Sequence, residues 1–165
     1  MKKFISVLLA LLLTALLCAC GAPSAPAADE SALHCTISIS CATILDHEAE
    51  LAPEKAALLP SDGWILKETE VAVREGESAF DVLQRVCKDN KIQMEYAESA
   101  AYGGAYVKGI HNIYQTDCGE LSYWMYSVNG EFPNYGCGNY AMRDGDELCF
   151  LYTCDLGADV GGPMS

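Results

Sequence analysis

Hydrophobic and polar positions alternate cleanly at the start of the folded part. Cys35-Thr36-Ile37-Ser38-Ile39-Ser40-Cys41 places apolar residues at every second position with small hydroxyls between them, the period of a half-buried strand. The pattern predicts a strand continuing to Leu45. Pro53 then suits the first turn of a short helix running to Leu59, after the acidic, alanine-rich stretch that begins at Asp46. Ser61-Asp62-Gly63 is a turn, and Trp64 to Val73 reads as a second strand. Ser78, followed three residues later by Asp81, opens a helix in the manner of a capping box. In that helix Phe80, Leu83, Val86 and Cys87 form the apolar face, and it ends near Asn90.

Ile92 to Tyr96 reads as a short strand, Ala97 to Ala105 as a Gly/Ala/Tyr loop, and Tyr106 to Ile110 as extended chain. Leu121 to Val128 and the residues from Glu131 onward predict a hairpin, because Asn129-Gly130 is the residue pair that a type I′ turn favours. Asp144-Gly145-Asp146 turns the chain into a last strand, Glu147 to Thr153. One helix among several strands is an α+β arrangement. The expected form is a β-grasp-like mixed sheet with one main helix, stabilised by disulfides.

The N-terminus reads differently. Lys2 and Lys3 precede an apolar run from Phe4 to Leu17, which is too short to cross a bilayer and is read as a signal peptide. Leu17-Cys18-Ala19-Cys20-Gly21 resembles a bacterial lipobox, with Ala19 as the small residue before Cys20. The expected organisation is a lipoprotein signal peptide at 1–19, a lipidated Cys20 with a flexible tether at 20–32, a domain at 33–155, and a loose acidic tail at 156–165. The implied location is extracytoplasmic, anchored to a bacterial membrane.

Charge narrows the partners. The chain of 165 residues has 10 basic and 23 acidic side chains, a formal charge of −13. A surface of that sign repels a polyanion, which argues against nucleic acid. Past Cys20 come Cys35, Cys41, Cys87, Cys118, Cys137, Cys149 and Cys154. In an exported domain such a set reads as disulfides. Seven is odd, and Cys149, in the middle of the last strand, is the expected odd thiol. Cys35 and Cys41 would lie about 20 Å apart along one strand and cannot bond each other. Cys118 and Cys137 bracket the predicted hairpin and form the one bridge that local reasoning favours. With no C-x-x-C and no H-x-x-x-H spacing, neither a metal nor a cofactor is expected.

Aromatic residues concentrate late in the chain: Tyr123, Trp124, Tyr126, Phe132, Tyr135 and Tyr140 fall within 18 residues. On a strand, Trp124 and Tyr126 share a face. Such a face can hold a planar or sugar-like ligand through ring contact and phenol or indole donors. It can equally be cross-strand packing that stabilises the sheet. Asp144, Asp146 and Glu147 lack the longer calcium-loop spacing and read as turn residues. His111 reads as a loop histidine. No nucleophile or acid/base set emerges from the spacing, so an enzyme is not expected.

Four strings add a resemblance: Glu75-Gly76-Glu77-Ser78-Ala79-Phe80-Asp81-Val82-Leu83, Ala105-Tyr106-Val107-Lys108-Gly109-Ile110, Trp124-Met125-Tyr126-Ser127-Val128-Asn129-Gly130 and Met142-Arg143-Asp144-Gly145-Asp146. Over about Leu66 to Thr153 the chain resembles the transcobalamin-like C-terminal domain family. In the animal cobalamin carriers of that family the equivalent domain closes over one face of a corrinoid, opposite a larger helical domain that this chain has no room for. The resemblance implies a ligand-binding β-grasp domain, with a corrinoid or similar small molecule as ligand and Trp124, Tyr126, Phe132, Tyr135 and Asn129 as contacts. The alternative expectation is a non-enzymatic module that meets a protein partner at the cell surface. Fold carries over along such a resemblance more safely than function does.

Overall fold

The computed structural model describes residues 33–99 and 104–163. The expected signal peptide, Cys20 and the tether lie outside the described residues, as does part of the 97–105 loop. Among the described residues no helix is long and apolar enough to cross a membrane.

Strand β1, Leu33–Ser40, follows the alternation of its sequence, with Cys35, Ile37 and Ile39 buried. The chain leaves the strand sooner than its pattern predicts. The Ser40 hydroxyl accepts the Ala42 N–H at 3.2 Å, and the Cys41 N–H donates to the Gly63 carbonyl at 2.8 Å. A 3-10 turn, Ala42–Asp46, follows and buries Ile44. A second 3-10 turn, Pro53–Leu58, begins at the proline. Strand β2, Trp64–Val73, then pairs antiparallel with β1.

Helix α1, Ala79–Asp89, carries the full capping box: Ser78 Oγ accepts from Asp81 N, and Asp81 Oδ2 accepts from Ser78 N at 2.9 Å. Its buried face is Ala79, Val82, Leu83, Val86 and Cys87. Phe80 sits at the margin of that face, edge-on to Tyr96 with ring centroids 4.8 Å apart.

The remaining strands are β3 (Met94–Ser99), β4 (Gly104–Ile110), β5 (Ile113–Tyr114), β6 (Tyr123–Val128) and β7 (Glu147–Thr153). The main sheet has the order β2-β1-β7-β6. Its first and last strands lie side by side in parallel, with Ile37 opposite Leu148 and Ile39 opposite Phe150. The other two pairings are antiparallel. Strands β3, β4 and β5 form a second sheet instead of extending the first. The sheets are tied by two hydrogen bonds, Trp124 Nε1–H to the Ile113 carbonyl at 2.9 Å and Tyr152 O–H to the Tyr114 carbonyl at 2.7 Å. One core joins Ile37, Ile39, Val82, Leu83, Ile110, Ile113, Leu148, Phe150 and Tyr152. The architecture is mixed α+β, with two sheets and one main helix.

Three expectations are corrected. The 129–130 turn forms, with positive φ at Asn129 (54°) and Gly130 (79°) and paired 2.9 Å bonds between Val128 and Glu131. The returning arm, however, does not pair with β6. Pro133 has no N–H to give a ladder, and the chain docks on the start of α1, where the Tyr140 carbonyl takes the Ala79 N–H at 2.9 Å. Strand β7 takes the vacated place beside β6. The bridge expected between Cys118 and Cys137 fails with the hairpin. Cys118 faces Cys154 and His47, whereas Cys137 neighbours Asp81 and Tyr126. None of the seven cysteines is cross-linked in this structure. The tail, finally, is folded as far as 163: Ala158–Val160 is a 3-10 turn, and Asp159 accepts bonds from Thr153 Oγ1 and Cys154 N.

Candidate functional site

Strand β6 is an edge of the main sheet, and an aromatic cavity opens along it. The turn bonds show which way its backbone groups point. Asn129 N donates to Glu147 of β7, while Val128 exchanges both its bonds with Glu131 on the other side. In an antiparallel ladder this alternation is regular, so Trp124 and Tyr126 also direct their backbone groups away from β7.

The cavity has a volume of about 560 Å³. Ala105, Tyr106 and Val107 of β4 form one wall, and the 132–137 segment forms another. The C-terminal strap contributes Leu156 and Pro163. Glycine lets the strap close in: Gly157 has φ +98°, and a Cβ there would stand 2.9 Å from Met125 Sδ. A Cβ on Gly162 would meet Met125 at 3.0 Å and Phe132 at 3.4 Å. Polar groups are few, chiefly Gln115, Glu120 and Asn134 beside the tyrosine hydroxyls. A largely apolar hollow with a few fixed polar groups is the usual form of a small-molecule site.

Trp124, Tyr126, Phe132 and Tyr135 all line this cavity. They differ in how far they are committed elsewhere. Trp124 is 6% exposed, bonded through its indole to Ile113, and edge-on to Tyr152 at 5.2 Å. Tyr126 stacks on Phe150 at 6.0 Å and donates its hydroxyl to the Tyr135 carbonyl at 2.8 Å. Burial pushes its phenol pKa well above the ordinary value, so it stays a neutral donor. Tyr135 is 46% exposed. Asn129 lies outside the cavity. Its amide donates to Asp146 Oδ1 at 2.9 Å and its carbonyl oxygen accepts the Glu147 N–H at 2.8 Å, which holds the turn against β7.

A second cluster lies near the other end of β6. One ligand atom each from His47, Cys154 and Asp159 lie within 4.8 Å of one another, and the Cys118 thiol lies near Cys154. No motif spacing announces this group, because His47 lies about 107 residues before Cys154 and Asp159. His47 Nδ1 faces the Thr43 carbonyl at 3.0 Å, which leaves Nε2 for another partner. Burial raises the pKa of both the Cys118 and Cys154 thiols. Cys149 stands apart on the outer face of β7, half-buried, with the Ser38 hydroxyl 3.3 Å from its sulfur.

No curated protein matches the chain. Among solved structures, haptocorrin in complex with Cbi is similar at 18% identity and a TM-score of 0.50, over 74% of this chain and 26% of that one. The likeness is one of fold, and this chain spans about a quarter of that relative's length. A candidate metal binding protein from Ruminococcus gnavus ATCC 29149 aligns at 16% identity and a TM-score of 0.44, over 73% of this chain and 96% of that one. Residues 76–153, from the turn before α1 to the end of β7, match the family described as Domain of unknown function (DUF4430).

Proposed function

We propose that this protein is an extracytoplasmic, membrane-anchored, non-enzymatic binding lipoprotein, and that its β-grasp-like domain holds a small planar molecule against the β6 edge. Cys20 is the proposed lipid anchor, and cross-links among the buried cysteines are part of the same reading. The observation that carries the ligand reading is the concave aromatic cavity beside an open strand edge. A flat aromatic patch would favour a protein partner instead. A corrinoid is the named candidate, supported by the fold likeness to haptocorrin and by the family resemblance of the strings around Trp124 and Met142. At about 560 Å³ the hollow is near the middle of the usual range for pockets that hold drug-sized ligands, roughly 300 to 1,000 Å³, and a corrinoid is larger than such a ligand. The hollow would therefore grip one side of a large ring system and leave the other side open.

Calorimetric titration of residues 33–165 with cobalamin tests the reading. Saturable binding at micromolar strength or better is the expected result. Absence of heat, together with unchanged tryptophan fluorescence, would retire the corrinoid and move the search to protein partners of the same edge.

A further inference from the structure

We infer that Cys118 and Cys154 form a disulfide that closes the segment carrying the cavity and anchors the root of the C-terminal strap. Several independent contacts bring these two sulfurs together. The Cys118 N–H donates to Ser122 Oγ at 3.2 Å. The register of β6 on β7, with Tyr123 opposite Thr153, carries Ser122 to the position across from Cys154. Both sulfurs then face the same 3-10 turn: Cys118 Sγ lies 3.4 Å from the His47 carbonyl, and Cys154 Sγ lies 3.8 Å from Thr43 Oγ1. The two thiols are also close enough to influence each other's ionisation.

Burial sets the order of events. Both residues are buried, so an oxidant cannot reach them once the chain has folded. The bond therefore forms during folding, by exchange with a disulfide-bearing oxidant. One thiolate attacks the oxidant's disulfide and releases a thiol. The second cysteine then displaces the oxidant's other sulfur as a second thiol, closing the new S–S bond. Two protein thiols are oxidised and one oxidant disulfide is reduced to two thiols.

Position gives the bond its consequence. The closed segment, 118–154, contains β6, Phe132, Tyr135 and Cys137, and thus most of the aromatic wall. Cys154 is also where the strap is held, because Asp159 accepts its N–H at 2.7 Å. The competing use of this place is a thiophilic divalent cation held by His47, Cys154 and Asp159. Such a site would consume Cys154 as a thiolate and strand the Cys118 sulfur beside it, whereas the disulfide satisfies both sulfurs. The two uses exclude each other. The inference draws on the extracytoplasmic reading for its oxidant and is independent of the ligand.

The test is peptide mapping of the intact chain, secreted or exported, purified without reductant and alkylated before digestion. The expected product is a cross-linked peptide pair joining Cys118 to Cys154. Refolding the denatured, reduced chain in a mixture of reduced and oxidised glutathione must give the same pair, which separates a failure of the bond from a failure of export. Alkylation of both cysteines in the refolded protein, a different pairing of either, or stoichiometric zinc retained with both thiols free would overturn the inference. Thermal unfolding supplies the second arm. Cys118→Ser, Cys154→Ser and the double variant should all lower Tm by roughly the same amount, about 10 °C. Additive losses would mean two separate thiols.

Discussion

The main sheet has two edges, and they are finished in opposite ways. At the β2 edge the sequence supplies charge: Lys67, Glu68 and Glu70 fall within the strand, and Lys67 reaches Asp62 at 2.8 Å in an exposed ion pair. Charged side chains on an edge strand deter pairing with another chain. At the β6 edge the side chains are aromatic, and β4, the 132–137 segment and the strap surround them. One edge is guarded by hydration, and the other is recessed behind walls. The first can be left exposed without consequence, while the second keeps an apolar surface in a place that only a shaped partner can reach. That contrast is the physical basis for placing the function at β6.

The largest effect expected from breaking the contrast is at Trp124. This residue lines the cavity, yet its ring packs on Tyr152 and its indole bonds to the other sheet. Trp124→Ala should cost about 3 to 5 kcal/mol, read as a fall in the denaturation midpoint. A variant as stable as the parent would show that the β6 edge is not continuous with the core. In the destabilised variant, loss of ligand would say little about contact, because the fold that shapes the cavity is weakened with it.

The β2 side has its own clamp. Arg85 donates to both oxygens of Glu77, at 2.8 and 2.9 Å, and to the Ala72 carbonyl of β2 at 2.7 Å. The Arg85 guanidinium holds the Glu77 carboxyl below the usual carboxylate range. A depressed folded-state pKa contributes stability that is fully present above the unfolded value, about 4.3, and is lost as pH falls through the folded value. Glu77→Gln should therefore cost about 1 to 2 kcal/mol near neutrality and remove part of the acid sensitivity. Parallel Tm curves for the parent and the variant from pH 6 to pH 3 would count against the clamp.

How much of this was legible in the sequence follows the range of the interactions. The β2 span and the Ser78–Asp81 cap are local, and both were readable from neighbouring residues. The type I′ turn at Asn129-Gly130 was readable for the same reason, but not the strand that β6 chooses beyond it. That choice depends on Pro133 withholding a donor and on Tyr140 reaching α1, a contact between segments about 60 residues apart. The aromatic cluster announced a surface without saying which ring was committed to the core. Of the cavity, the strap was invisible. Its order depends on Asp159 returning to Thr153 and Cys154, and a glycine-containing acidic run carries no periodicity. The His47–Cys154–Asp159 group was hidden similarly, since its spacing spans most of the domain.

Asn129 separates the turn from the cavity. Asn129→Ala removes its bonds to Asp146 and to the Glu147 N–H and places alanine at φ 54°. A loss of about 1 to 2 kcal/mol is expected, with ligand affinity unchanged because the residue lies outside the cavity. A selective loss of affinity without loss of stability would put Asn129 back among the contacts.

The smallest effect on stability is expected at Tyr135, and it bears most directly on function. The residue is nearly half exposed, and the bond that it makes to Tyr126 uses the backbone carbonyl, which alanine retains. Tyr135→Ala should therefore change stability by no more than about 0.5 kcal/mol. If cobalamin binds the parent, the variant should bind about tenfold more weakly, since an aromatic contact of this kind is worth over 1 kcal/mol. Trp64→Ala is the matched control: its ring is similarly exposed, at 40%, but it lies on the charged edge, and its removal should leave affinity unchanged. Equal losses from both variants would erase the distinction between the edges. A loss confined to Tyr135 would locate the ligand at β6 by a substitution that leaves the core intact.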